Sequence, residues 1–240
     1  MVFTSCSNDD NDSSDSTSSI LVKKRIFTES DGTSYFSDYL YEGNKLKSVT
    51  DSDGSVMKYT YTGNLITKIE EFDKKGNLNS ITDYNYINGK LDNEVYKHAW
   101  EEYYYKTKYT YNANGTVEYN QFEGNVSTGT EEVSGATGKY TIKDGNQMKL
   151  EVSYGDGYSY VYEYDTKNNP FKNILGFDLL FDDESYVNNL VMKTSTSGSG
   201  TDIRTSTTTY TYKYDVNNYP TEQVAIFSNE TSTETTQFVY

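Results

Sequence analysis

One cysteine, Cys6, and one histidine, His98, stand in a chain of 240 residues. An intrachain disulfide and a histidine-cluster metal site are therefore both excluded, and any nucleophile–histidine pair would have to use His98. Cations are also scarce: 21 Lys and Arg face 36 Asp and Glu, a net charge of −15. That balance argues against nucleic acid and against adsorption to anionic lipid, because both need clustered Lys or Arg. No stretch approaches the roughly 18 apolar residues of a membrane-spanning helix. Aliphatic side chains are sparse, so whatever core forms must come from elsewhere.

It comes from tyrosine, of which there are 26. Tyrosine buries a large ring while keeping a hydroxyl that wants water or a partner. In Tyr158-Ser159-Tyr160-Val161-Tyr162-Glu163-Tyr164-Asp165 every second residue is tyrosine, and Tyr210-Thr211-Tyr212-Lys213-Tyr214-Asp215 repeats the pattern. Side chains alternate across a strand, so the rings share one face and a polar face opposes them. A strand of that kind belongs to an antiparallel sheet.

The chain repeats a unit: Tyr-x-Tyr, a glycine–asparagine turn, then an aliphatic run. Examples are Tyr39 to Leu46, Tyr59 to Ile66 and Tyr84 to Leu91, with further copies from Tyr109, Tyr162 and Tyr212. Gly and Asn accept the positive φ of tight hairpin turns, and successive hairpins make a meander. The expected fold is all-β: a single domain over residues 20–240, an antiparallel meander in a strongly curled sheet, as a half-barrel or open barrel.

Two segments break the rhythm. Residues 123–137, rich in Gly, Ser, Thr and Glu, read as a long mobile hairpin loop. Asn168 to Phe181 is the densest apolar stretch, in which Asn169 suits a helix cap and Pro170 a first turn. A short helix near 170–180, laid as a plug across the tyrosine face, is expected.

The N-terminus carries a different signal. Small residues precede Cys6, and Ser7 to Ser19 is an acidic, serine-rich tract with no apolar side chain, suited to a flexible tether. Residues 1–6 resemble the end of a bacterial lipoprotein signal peptide, which implies lipidation at Cys6. The acidic tract resembles surface-export signals of Bacteroidetes lipoproteins, and Asp15-Ser16-Thr17 resembles the O-glycosylation tripeptide of that phylum. The Tyr-x-Tyr-Asp units at Tyr162 and Tyr212, with their turns, resemble YD-repeat (RHS-like) sequence. Residues 20–240 resemble small repeat-bearing Bacteroidetes lipoproteins, in which an Asn-Asn-Pro-Phe-Lys-Asn insertion like Asn168 to Asn173 recurs. The resemblance implies an outer-membrane location, periplasmic or cell-surface facing, and no particular activity.

No motif calls for a cofactor or a metal. Asp51-Ser52-Asp53-Gly54 and Asp182-Asp183-Glu184 lack the spacing of a calcium loop and suit turns. His98 beside Trp100 lacks a base and an orienting group, and no carboxylate sits in an apolar run that would raise its pKa. A non-enzymatic, monomeric binding module is expected, with a membrane anchor and a glycan or protein partner. The candidate binding residues are Trp100, Tyr103, Tyr105, Tyr158, Tyr160, Tyr162, Tyr210 and Tyr212, because aromatic rows on a rigid sheet stack on sugars or anchor partners. The alternative is a periplasmic carrier that holds an apolar ligand in the curled sheet, with residues 171–181 as lid.

Overall fold

A computed structural model describes residues 19–155, 157–181, 184–198, 201–228 and 232–240. The expected tether and Cys6 lie outside the described residues, apart from Ser19. Among the described residues sixteen antiparallel strands follow one another: β1 (Lys24–Thr28), β2 (Ser34–Glu42), β3 (Lys45–Asp51), β4 (Val56–Thr62), β5 (Leu65–Phe72), β6 (Leu78–Ile87), β7 (Lys90–His98) and β8 (Tyr103–Tyr111). The second half comprises β9 (Thr116–Asn125), β10 (Glu131–Lys143), β11 (Asn146–Ser153), β12 (Tyr158–Tyr164), β13 (Leu190–Ser197), β14 (Arg204–Tyr214), β15 (Pro220–Phe227) and β16 (Thr233–Val239).

Each strand pairs with the next, and β1 pairs with β16, so the sheet is a closed barrel and not the half-barrel or open barrel expected. The meander's twist brings the two ends together, and closure removes both exposed edges. Arg25 lies opposite Phe238 and Phe27 opposite Thr236 across the seam.

The hairpin turns follow the chemistry of their residues. Gly43 and Gly63 alone have positive φ in their two-residue turns, whereas Asn88-Gly89 and Asp144-Gly145 have it at both positions. These are the signatures of types II′ and I′, whose twist suits a hairpin. Just beyond each turn the ladder slips by one residue: Leu40 pairs with Ser48 but Tyr41 with Leu46, and Asn85 pairs with Asn93 but Tyr86 with Leu91. Such a bulge interrupts the ladder and frees backbone groups in a dry place.

Tyrosine phenols from the following hairpin take up those groups. Tyr86 donates to the carbonyl of Ile66, Tyr111 to Leu91, Tyr164 to Gln147, Tyr212 to Leu190 and Tyr240 to Pro220, at 2.7–3.0 Å. Tyr41 donates likewise to Val22 at 2.9 Å, and the Leu46 amide donates to Tyr61 at 3.1 Å. Tyrosine is thus core and clasp together: the ring fills the interior while the hydroxyl stitches one hairpin to its neighbour.

The remaining turns lie at the other end of the barrel. Residues 123–137, expected as a mobile loop, instead continue β9 and β10, which pair from Gly124–Glu131 to Phe122–Val133 around a short turn. Tyr104 lies over Gly124 and Tyr119 over Gly138, each ring so close that a Cβ on the glycine would overlap it. The bare glycines give the rings room, which offsets their weak strand preference.

The segment between β12 and β13 is an expanded hairpin turn. The Asp165 amide bonds the carbonyl of Asn189 at 3.0 Å, as the Asp215 amide bonds that of Tyr219 at 2.8 Å across the short β14–β15 turn. The inserted residues fold across the Gly–Asn turn end. They form a chain of tight turns with a single 3-10 helix at Phe177–Leu179, not the longer helix expected. Asn169 does cap, accepting the Phe171 amide at 2.8 Å, but Gly176 with φ 75° stops a helix from continuing. Phe171, Ile174, Phe177 and Leu180 pack with Val22, Leu46, Val49, Ile66 and Phe238, while Phe181 stacks on Tyr140 at 4.8 Å. The plug supplies the aliphatic bulk that the strands lack.

Candidate functional site

The inside of the barrel is filled on one side and hollow on the other. Around β6 to β11, Leu91, Tyr109, Val117 and Tyr119 pack with Phe181. Opposite them, a half-enclosed cavity of about 690 Å³ runs from the Tyr35 and Asp53 rim to a floor of Asn169, Pro170 and Phe171. Its wall is drawn from β1–β3 and β12–β16. That volume falls within the roughly 300–1,000 Å³ of small-molecule sites.

Strand register explains the lining. Tyr162 points inward, so its cross-strand partner Lys193 does too, and the same alternation turns Tyr210, Tyr212, Gln223, Thr236, Phe238 and Arg25 to the interior. Lys193 Nζ lies 4.6 Å from the Tyr160 ring centre and 5.7 Å from that of Tyr162, within cation–π range. Gln223 Nε2 donates to the Tyr212 hydroxyl at 2.7 Å.

Charge enters the lumen in balanced form. Arg25 pairs with Glu184 of the plug. Burial pulls the guanidinium pKa down, but Glu184, Tyr39 and Asp51 outweigh it and hold the pKa above the ordinary arginine value, so Arg25 stays charged. Asp51 accepts from the Ser37 hydroxyl at 2.6 Å. Burial pushes the Tyr39 and Tyr212 hydroxyls well above the usual tyrosine pKa, which keeps these two phenols neutral.

Of the expected binding residues, Tyr162, Tyr210 and Tyr212 line the cavity. Tyr158 and Tyr160 continue their row toward the open end, in ring contact at 5.6 Å, and Tyr160 shares the Lys193 cation. Trp100, Tyr103 and Tyr105 also reach the open end and are exposed, but they belong to the β7–β8 side and do not border the cavity. Trp100 stacks on His98 at 4.8 Å, and His98 meets the Tyr96 hydroxyl at 3.1 Å, so the histidine is packed between two rings. Arg25, Lys193 and Glu184 are lumen residues that sequence reasoning missed. The available signal was alternation itself: Arg25 is in phase with Phe27, and the β13 register follows from Tyr162.

Among the described residues, no group of three or more His, Cys, Asp or Glu could hold a metal ion. The Asp51–Ser55 segment is a turn, with the Gly54 amide on the Asp51 carbonyl and the Ser55 amide on Asp53 Oδ1, both at 2.9 Å.

The outer wall is polar. Lys24 faces Asp38, Lys139 faces Glu151 and Lys213 faces Glu222 as direct cross-strand partners, with ion pairs of 2.7–3.1 Å. Exposed Leu40, Ile87 and Val133 are scattered among exposed Lys58, Thr60 and Glu118. A membrane-spanning barrel carries a continuous apolar band on its outside, and this outer wall instead carries cross-strand ion pairs.

No protein-family model matches the chain, and no curated protein matches it. Among solved structures it is similar to a porin-like protein from Bacteroides uniformis ATCC 8492, with a TM-score of 0.54 and 15% sequence identity over 91% of this chain and 96% of that one. At that identity the likeness is one of fold alone.

Proposed function

We propose that the protein is a lipid-anchored binding module of the bacterial outer membrane, periplasmic or cell-surface facing, whose ligand site is the barrel lumen and whose ligand is a glycan. It works by holding the ligand, without catalysis. The observation that carries this reading is the cavity of about 690 Å³, in which tyrosine rings and hydrogen-bonding groups converge. Rings such as Tyr210 suit the C–H faces of a sugar, and Gln223, Lys193 and Asp51 suit its hydroxyls. Both lumen carboxylates are already engaged, Glu184 by Arg25 and Asp51 by Ser37, which favours binding over acid–base chemistry.

The path of the chain supports an outward-facing role. Asn173 of the plug donates to the Ile20 carbonyl at 2.9 Å, so the N-terminal segment joins the barrel at its plugged end. The described chain thus begins at that end, and the mouth opens at the other.

The carrier reading draws on the same volume, which Phe171 closes from below. It ranks second because a lumen with Arg25, Lys193, Glu184 and Asp51 on its wall is costly to fill with an acyl chain. A glycan array and mass spectrometry of organic extracts from freshly purified protein separate the two. Array binding with no copurified lipid is the expected result; stoichiometric lipid with an empty array makes the carrier correct. An empty array with a protein captured through its mouth-facing residues points to a protein partner instead.

A further inference from the structure

We infer that the lumen takes the free end of an uncharged saccharide chain, end-on, and not a segment from the middle of one. The inference rests on the glycan reading above and adds the manner of recognition. The first observation is that, among the described residues, the wall is continuous and the plug closes one end. The wall is hydrogen-bonded all the way round, so it offers no lateral slot. Its floor is tied down: the Leu175 amide bonds the carbonyl of Asn44 at 3.0 Å, and the Asn169 amide bonds that of Val187 at 3.1 Å. Gly176 leaves no room for a methyl group against the Asn64 carbonyl, where a Cβ would stand at 2.7 Å. A chain that enters at the mouth has nowhere to leave.

The second observation is size. At close-packed density the cavity's volume corresponds to roughly three to four sugar rings. Any further rings stay outside the mouth, where they touch only the rim.

The third is charge. The lining carries the cations Arg25 and Lys193 and the carboxylates Glu184 and Asp51, with Asp53 at the rim, and Arg25 lies beside both inner carboxylates. A ligand with a net negative charge meets Glu184 and Asp51 beside Arg25, and the protein as a whole carries −15. A neutral polyhydroxyl ligand uses both signs, since carboxylates accept from hydroxyls and the cations donate to them.

Isothermal titration of the full chain tests this with paired tetrasaccharides and hexasaccharides of the glucose, mannose, xylose, galactose and N-acetylglucosamine series. Each hexasaccharide is also tagged with a bulky fluorophore at one end or the other. At least one tetrasaccharide is expected to bind, with its hexasaccharide no more than about threefold tighter. A tag on one end should abolish binding while a tag on the other end leaves it intact. Lys193→Met and Tyr210→Ala should each weaken binding about tenfold, while Tyr104→Ala on the outer wall leaves it unchanged. Melting curves report whether the variants are folded. Affinity that climbs steadily with chain length, with both tagged forms bound, overturns end-on recognition and leaves glycan binding standing. Unchanged affinity in both lumen variants overturns the lumen as its place. No binding by any member of the panel overturns the glycan reading and this inference together.

Discussion

The phenol of Tyr111 donates a 3.0 Å hydrogen bond to the carbonyl of Leu91, a residue with no exposed surface. The bond crosses from one hairpin to the previous one at the place where the β6–β7 ladder slips. Removing the hydroxyl leaves a buried carbonyl without its donor, which costs about 1–3 kcal/mol. Tyr111→Phe is therefore expected to lower the urea midpoint without changing the slope, by about 1–2 kcal/mol. Tyr104→Phe, whose hydroxyl meets Glu131 on the outer wall, should change stability by less than about 0.5 kcal/mol.

Gly176 joins the plug to the barrel. Its φ of 75° strains any residue with a side chain, and the Asn64 carbonyl occupies the place of a Cβ. Gly176→Ala is expected to destabilise the protein by more than about 1 kcal/mol. Because the plug is also the lumen floor, amide exchange in residues 171–181 should speed up with it, which hydrogen-exchange mass spectrometry reads directly.

Tyrosine burial sets the alkaline limit. Burial pushes Tyr111 and Tyr119 up to about 12 from the ordinary value near 10. In the unfolded chain these phenols lose their protons near pH 10, while in the fold they keep them. The unfolded state then binds fewer protons, so stability falls as pH rises. Full stability is expected below pH 10, with progressive loss between about 10 and 12. Phenolate absorbance should rise together with loss of the barrel's circular dichroism, not ahead of it.

Much of the fold was legible in the sequence, and the reasons are specific. The spacing of Tyr158, Tyr160, Tyr162 and Tyr164 marks a strand with one ring-bearing face, and Gly43-Asn44 and Asn88-Gly89 mark turns by their φ requirements. Closure was not legible, because β1 and β16 pair through backbone groups and neither strand carries a residue that names the other. The helix expected near 170–180 failed for a tertiary reason: Gly176 packs against the β4–β5 turn, and that contact overrides local spacing. Tyr162, Tyr210 and Tyr212 were legible as site residues from their ring pattern. Arg25 and Lys193 were not, since a cation in an alternating strand reads as solvent-facing until the register of its neighbours is known.

The direction of the tether gives a further test. Cys6→Ala should move the protein from the membrane to the soluble fraction of its native host. With Cys6 intact, a bulky label at Val216, an exposed residue of the plugged end, should be hindered by the membrane more than one at Trp100 near the mouth. Unchanged partitioning of the variant removes the anchor, and equal labelling of the two positions removes the orientation.

The lumen itself is tested most directly by a crystal structure of the protein grown with the tightest-binding saccharide of the panel. The expected result is sugar density between Tyr162, Tyr210 and the Arg25–Glu184 pair, with one chain end against Phe171 and the rest leaving through the mouth. Density confined to the outer wall or to the Trp100 side, with the lumen empty or occupied by an acyl chain, would contradict it.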